Sequence, residues 1–223
     1  GYRPSSGIAP LRETLAAAIA AISRPREDVL LWDPFCGSGT FPIEAAMMAA
    51  NMAPGMNRDF TAENWSHIIK KNNWYDAMDE AREMVDLSGE TDIQGDDIDD
   101  KMVAIARENA KLAGVEKLIH FQRRSVAELS HPKKYGFIIT NPPYGERLSQ
   151  DKDVLRLYQD IGTTLKHQFC GATAWIISSN EEALKCVGLR PAKRIRLING
   201  DLDCLFNQYV LFSGDRKSWK KSL

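Results

Sequence analysis

Short apolar runs and amphipathic segments alternate along the chain, and turn-forming residues separate them. The apolar runs have the length of buried strands, and the amphipathic segments repeat apolar residues at helical spacing. Predicted strands cover residues 28–33, 91–96, 118–122, 136–140 and 172–178. Predicted helices cover residues 10–22, 41–50, 77–85, 100–112, 151–168 and 180–186. This alternation predicts an α/β fold with a doubly wound parallel sheet.

The last part of the chain has a different period. Residues 193–198 and 205–212 alternate apolar and polar side chains, and Asn199-Gly200-Asp201 separates them. This pattern predicts a β-hairpin. The hairpin would add an antiparallel strand to the parallel sheet.

One interval is too long for a simple nucleotide-binding unit. Asp33 and Asp97 are 64 positions apart, against roughly 20 in such a unit. We therefore expect residues 51–88 to be an insertion near the ligand-binding crevice of the sheet. Its aromatic and basic residues fit either nucleic-acid contacts or a small core of the insertion itself. We favour the small core for Trp65.

Composition adds little to this description. The chain has 223 residues, 26% of them charged, and a formal net charge of −1, which fits one domain and gives no overall sign of nucleic-acid binding. Lys and Arg are concentrated from Arg190 to Leu223, with smaller clusters at Arg123-Arg124 and Lys133-Lys134. Such a stripe fits a phosphate partner or guards an exposed edge strand, and both interpretations stay open.

The cysteines and histidines show no metal-binding spacing. We therefore predict no metal site, and reduced thiols in a cytoplasmic protein. Neither a signal peptide nor a membrane span is predicted. The chain begins with Gly1 rather than Met, so we expect it to start inside a longer protein.

A glycine-rich loop follows the first predicted strand. Its sequence, Asp33-Pro34-Phe35-Cys36-Gly37-Ser38-Gly39-Thr40, leads directly into a predicted helix. Strand, glycine turn and helix form the ligand crevice of an open α/β sheet. The acidic residue before the loop would repel a phosphate but pair with a cation. S-adenosylmethionine carries both an ammonium and a sulfonium group, and we infer it as the cofactor. The alternative is a glycine turn that serves tight packing only.

Three acids end the second predicted strand. A carboxylate at this position can accept hydrogen bonds from both ribose hydroxyls of a nucleoside. We choose Asp97 for this role, with Asp96 and Asp99 as rivals. Asp99 directly precedes a predicted helix and fits an N-cap better. The apolar face predicted for that helix holds Met102, Ile105, Ala106, Asn109 and Leu112.

The tetrapeptide Asn141-Pro142-Pro143-Tyr144 follows the apolar run 137–139. The Asn141 side-chain oxygen and the Pro142 carbonyl can both accept hydrogen bonds from one planar amino group. The two prolines stiffen the turn and remove two backbone donors, and Tyr144 can stack on a flat heterocycle. The tetrapeptide therefore predicts a site for the exocyclic amine of a nucleobase. A proline-rich surface turn is the alternative.

The chain contains three motifs in the order DPFCGSGT, GDDID and NPPYGERL. With these motifs it resembles the class I S-adenosylmethionine-dependent aminomethyltransferases. More narrowly, the chain resembles the ribosomal RNA guanine-N2 methyltransferases that carry a THUMP domain, whose members are often named N6-adenine-specific DNA methylases. The opening segments Gly1-Tyr2-Arg3 and 9–14, with 53–58 and 145–148, match that family. Ser125 stands where the family commonly has Asp.

The resemblance implies a Rossmann-like seven-stranded sheet, and an RNA-binding domain upstream of a single catalytic domain formed by residues 1–223. The implied catalytic residues are Asn141, Pro142, Pro143 and Tyr144. The implied cofactor contacts are Asp33, Phe35, Cys36, Gly37, Ser38, Gly39, Thr40, Asp97, Ile98, Ser125 and Val126. The implied reaction methylates guanine N2 of ribosomal RNA. N6-adenine methylation of DNA, and a non-catalytic RNA-binding module with this fold, are the alternatives.

Overall fold

The computed structural model of the protein describes residue 2 and residues 11–23, 30–130, 136–144 and 151–212. These residues form one sheet of seven strands, in the order β3-β2-β1-β4-β5-β7-β6. The strands are β1 (Leu30–Asp33), β2 (Ile93–Asp97), β3 (Ile119–Arg123), β4 (Gly136–Thr140), β5 (Thr173–Ser178), β6 (Lys193–Asn199) and β7 (Leu202–Val210). Strands β1 to β5 pair in parallel, and β7 runs antiparallel to β5 and β6. The predicted fold class is confirmed.

Helices cover both faces of the sheet. They are α1 (Glu13–Ser23), α2 (Thr40–Ala49), α3 (Lys71–Glu83), α4 (Asp100–Leu112), α5 (Asp151–Gln168) and α6 (Glu181–Cys186). Two elements begin three or more residues earlier than predicted. Helix α3 starts at Lys71 rather than at residue 77, in a polar stretch without apolar periodicity. Strand β7 starts at Leu202 because the hairpin turn has only two residues, with Gly200 at φ +65°.

Two apolar clusters fill the space between sheet and helices. Neighbouring residues of a strand point to opposite faces, so Leu31 joins one cluster and Trp32 the other. The first cluster packs under α1, α2 and α4, and the second under α5 and α6. Because both faces of the central strands are covered, β1, β4 and β5 appear in the sequence as mostly apolar runs.

Helix α4 turns to the sheet a face that shares Ala106 and Asn109 with the predicted one. Its buried residues are Val103, Ala106, Asn109 and Ala110, whereas Leu112 is exposed. Small side chains let this helix lie close to the glycine loop: a Cβ atom added at Gly39 would be 3.1 Å from the Ala106 Cβ. The prediction that Leu112 belongs to the apolar face toward the sheet is wrong.

The insertion 51–88 lies on the outer face of α1 and α2. It leaves the end of α2 and returns beside it, where the Asp86 N–H donates to the Ala50 carbonyl (2.9 Å). Its segment 52–58 lines a cavity with Tyr2, Glu13 and Glu44. None of its described residues lines the cavity at the glycine loop. That the insertion lies near the crevice therefore stays a prediction.

The insertion holds a small aromatic cluster that excludes Trp65. The Arg58 guanidinium lies 4.1 Å from the Phe60 ring centroid, and Trp74 packs on the same ring with a centroid distance of 5.5 Å. Trp65 ends a 3₁₀ turn and is 46% exposed. Its predicted place in a core of the insertion is wrong, because the turn directs the indole to solvent.

Candidate active site

The carboxyl ends of β2, β1 and β4 meet at one edge of the sheet. These strands are neighbours, and they end at Asp97, Asp33 and Thr140. The chain leaves β1 toward β2 on one side and later returns to β4 on the other. Ligands of open α/β sheets bind at such a point of reversal. We call the cavity there, which is lined by Asp33, Asn141 and residues 35–38, the crevice.

Backbone and side-chain bonds fix the glycine loop above β1. The Cys36 N–H donates to the Asp96 carbonyl and the Gly39 N–H to the Cys36 carbonyl, both at 2.8 Å. Gly37 and Gly39 have φ values of +53° and +85°, a region that favours glycine. Gly39 is also the N-cap of α2. The loop N–H groups are thereby held at the positive end of a helix.

Asn109 is a loop anchor that the sequence analysis did not assign. Its side-chain amide, buried in α4, donates to the Ser38 carbonyl at 2.9 Å. The sequence could have indicated this role, because Asn109 is a polar residue on the predicted apolar face of its helix. A polar side chain on such a face needs a buried partner.

Asp33 is buried between the glycine loop and β4. Its Oδ1 accepts hydrogen bonds from the Thr140 hydroxyl (2.7 Å) and from the Phe35 N–H (3.1 Å). Burial raises the pKa of this carboxyl to about 7, and the negative charges of Asp97 and Asp96 act in the same direction. A cation in the crevice would favour the ionised form.

The three acids at the end of β2 have different hydrogen-bond partners in the structure. Asp96 is buried and accepts from the Trp32 indole N–H. Asp97 accepts from the Gly37 and Asp99 N–H groups, each at 3.0 Å. Asp99 caps α4 by accepting from the Lys101 N–H (2.9 Å), as predicted. Asp97 is therefore the acid whose side chain bonds to the glycine loop.

The other predicted cofactor residues have different environments. Ile98 follows Asp97 and is 66% exposed. Ser125 caps a 3₁₀ turn by accepting from the Ala127 N–H (3.4 Å), and Val126 is buried in the second cluster. Cys36 is buried, and burial, together with the nearby Asp33 carboxylate, raises its thiol pKa. This environment suits a small apolar residue rather than a nucleophile.

Asn141 brings an unpartnered acceptor to the crevice. Its Oδ1 atom is buried and has no hydrogen-bond partner among the described residues. Buried polar atoms are nearly always satisfied, so such an atom requires an explanation. Asn141 lines the same cavity as Asp33 and Thr40. Residues 145–148, which carry the rest of the motif, lie outside the described residues.

A buried hydroxyl pair lies near the tetrapeptide. The Tyr158 hydroxyl, in α5, donates to the Ser178 Oγ at the end of β5 (2.8 Å). Burial is the main cause of the raised Tyr158 pKa, and Tyr144 is near enough to add to it. No signal in the sequence singled out Tyr158, because it lies on an ordinary apolar face of α5.

In the described part of the chain, no helix has the length and apolarity needed to cross a membrane. Within the same residues, no group of three or more His, Cys, Asp or Glu side chains could hold a metal ion.

Comparison with known proteins places these features in a family. The model of the RMKL-like methyltransferase domain matches residues 1–208. The ribosomal RNA large subunit methyltransferase K/L of Aliivibrio salmonicida is 42% identical over 229 aligned positions, which cover 97% of this chain and 32% of that protein. The chain spans about a third of the length of the curated relatives it matches.

Two solved structures have the same fold as this chain. SMU.472, a protein assigned to the methyltransferases and complexed with SAH, superposes with a TM-score of 0.88 at 37% identity, over 96% of this chain and 56% of that one. A predicted N6-adenine-specific DNA methylase from Listeria monocytogenes superposes with a TM-score of 0.85 at 36% identity, over 95% of this chain and 54% of that one.

Proposed function

The chain belongs to the RMKL-like methyltransferase domain family, and on that premise we propose that it methylates an exocyclic amine of a nucleobase, guanine N2 in ribosomal RNA, with S-adenosylmethionine as the cofactor. We propose further that residues 1–223 are one catalytic domain that acts in the cytoplasm. The observation that carries the proposal is the buried, unpartnered Oδ1 of Asn141 beside Asp33.

The residues of the crevice fit this cofactor. Asp33 is a buried carboxyl whose pKa near 7 lets a cationic ligand convert it fully to the carboxylate. Asp97 offers a carboxylate that is already oriented by two N–H groups and can accept from ribose hydroxyls. The exposed Ile98 offers an apolar surface beside it for the adenine ring.

The tetrapeptide would prepare the amine for attack. The bound cofactor supplies a methyl group on a positively charged sulfur, so positioning of the nucleophile is the main task. The Asn141 Oδ1 and the Pro142 carbonyl would accept the two amine hydrogens and aim the nitrogen lone pair. The same acceptors would stabilise the positive charge that develops on nitrogen. The target base must leave its stack, and Tyr144 would replace the lost stacking.

Methyl transfer to defined nucleic acids tests the function. The chain would be incubated with methyl-labelled S-adenosylmethionine and either transcribed, unmodified large-subunit ribosomal RNA or unmethylated DNA. We expect N2-methylguanosine in the RNA digest. Label in N6-methyldeoxyadenosine would instead establish the DNA activity. Binding of the cofactor without transfer to either polymer would favour a non-catalytic binding module.

Asp97→Ala should weaken binding of S-adenosylhomocysteine about tenfold, the scale of lost hydrogen bonds to a charged group. Isothermal calorimetry measures this change. Asp99→Ser is the matched control, because serine can still cap α4 and Asp99 has its side chain on the helix rather than on the loop. Equal affinities in Asp97→Ala and the unchanged protein would remove Asp97 from the cofactor site.

A further inference from the structure

The β6–β7 hairpin projects beyond the sheet on the side of the crevice. Because β7 is antiparallel to both neighbours, β6 runs in the same direction as β5. Ser178, the last residue of β5, pairs with Leu205, which pairs with Arg196. The hairpin therefore continues three residues past the end of β5, about 10 Å at the usual rise per residue. Its turn lies at the end of the sheet where the parallel strands have their carboxyl ends, which is also the end that holds Asp33 and Asn141.

The projecting tip carries apolar side chains that no core covers. Ile198 is 70% exposed and Leu202 is 42% exposed. Cys204, which pairs with Leu197 inside the projecting part, and Phe206 are buried in the first cluster. One face of the projecting part therefore packs against the core, whereas Ile198, on the other face, presents apolar surface to solvent.

Exposed cations line the outer strand below this tip. Lys193, Arg194 and Arg196 are exposed on β6, and Arg190 precedes them. Among the described residues, none of the four forms an ion pair within 4 Å. The exposed acids of the hairpin, Asp201 and Asp203, lie at the turn. Positive charge therefore follows β6 up to Arg196, and beyond it the exposed Ile198 pairs with the acidic Asp203 of β7.

Three of these side chains share one face of β6. Alternate residues of a strand point the same way, so Arg194, Arg196 and Ile198 form a row that runs up toward the crevice edge. Arg194 is close enough to affect the pKa of the buried Tyr209 on the same face. Protection of an edge strand would explain the arginines. It does not explain an exposed isoleucine in the same row at a projecting tip.

We propose that this row binds the RNA strand that flanks the target nucleotide, with phosphates on Arg194 and Arg196 and a base or ribose against Ile198. The proposal rests on the proposed function, because it needs RNA as the substrate. Strand β6 is three positions from β4, about 14 Å at the usual strand spacing. An extended single strand leaving the Asn141 site would cross that distance within a few nucleotides. A polyanion complements the charge of this row.

Fluorescence anisotropy with a labelled single-stranded RNA oligonucleotide, over a series of salt concentrations, tests the surface. The double variant Arg194→Ser/Arg196→Ser should bind about tenfold more weakly at low salt and lose about 1.4 from the salt slope, since each phosphate contact on a single strand contributes about 0.7. Ile198→Ser should lower affinity with an unchanged slope. The matched control is Lys111→Ser/Lys117→Ser. It removes two exposed cations on the side of β3, the edge strand farthest from β6, and should change neither the RNA affinity nor the salt slope.

S-adenosylhomocysteine affinity, measured in parallel, should be unchanged in all of these variants, which shows that they fold. Equal affinity and slope in the double arginine variant and the unchanged chain would overturn the hairpin proposal alone. Loss of affinity in the lysine control to the same extent would also overturn it, because binding would then follow net charge. An unchanged chain that binds the cofactor but not RNA would overturn the hairpin proposal, whereas the methyl-transfer experiment with ribosomal RNA and DNA decides the proposed function separately. A hairpin that instead mediates self-association would appear as a change in sedimentation without a change in RNA binding.

Discussion

Asn141→Ala should lower the single-turnover rate of methyl transfer by about 100-fold or more, while the affinity for S-adenosylhomocysteine stays within about twofold. Loss of one positioned group that stabilises developing charge has effects of this size. Asn141 is placed to contact the substrate amine, whereas Asp33 and Asp97 are the candidates for the cofactor. Rates are measured with enzyme in excess over transcribed ribosomal RNA, so that product release does not contribute.

Thermal stability distinguishes this role from a structural one. The Oδ1 atom of Asn141 is buried without a partner among the described residues, and such an atom destabilises a fold. Its removal should leave the melting temperature unchanged or slightly higher. Asn72→Ala, in the exposed part of α3, is the control and should keep its full rate. A variant at position 141 that loses stability but retains most of its rate would show that the tetrapeptide is only a turn.

Most strands could be predicted because each one follows from a local signal, whereas the number of strands in the sheet was implied only by the family resemblance. Strands such as β4 and β5 are buried on both faces and therefore appear as apolar runs. The hairpin followed from Asn199-Gly200, where glycine allows the positive φ of the turn. The place of the insertion could not be predicted in this way. Helix α3 has no buried residue, so its pattern contains no information about what it packs against.

The chemistry of the site depended on contacts between distant residues. The motifs identified Asp33 and the acids after β2, but adjacent strand residues point in opposite directions. The sequence alone left Asp96 and Asp97 as rivals, whereas the structure directs Asp96 to Trp32 and Asp97 to the glycine loop. Likewise, the pKa of the Asp33 carboxyl depends on its burial and on the hydrogen bond from Thr140, which is 107 positions away in the sequence. No local pattern contains that information.

Cofactor affinity should fall as the pH decreases below about 7, because binding favours the ionised form of Asp33. Burial raises the pKa of this carboxyl to about 7 in the folded protein. The positive charges of S-adenosylmethionine would lower that pKa in the complex, so binding below pH 7 must release a proton. The dissociation constant should rise about tenfold per pH unit below that value. An affinity that is constant from pH 6 to pH 8 would contradict this role of Asp33.

Asp33→Asn separates charge from hydrogen bonding. The asparagine oxygen can still accept from Thr140 and Phe35, but it carries no charge at any pH. At pH 8 the variant should bind S-adenosylmethionine about 10- to 100-fold more weakly, which corresponds to the loss of an interaction with a charged group. Its affinity should not depend on pH between 5.5 and 8, and the two proteins should converge at the acidic end.

The same substitution should stabilise the unliganded protein at high pH. A carboxyl whose pKa is higher in the folded state contributes stability below its unfolded value, near 3.8, and loses this contribution as the pH rises through about 7. The unchanged protein should therefore become less stable between about pH 4 and pH 7 relative to Asp33→Asn. Calorimetric melting should show Asp33→Asn as the more stable protein at pH 8, with the difference smaller at pH 5 and nearly absent at pH 4. Weaker cofactor binding together with a higher melting temperature cannot result from misfolding, and this combination assigns the buried charge of Asp33 to cofactor binding at a cost in stability.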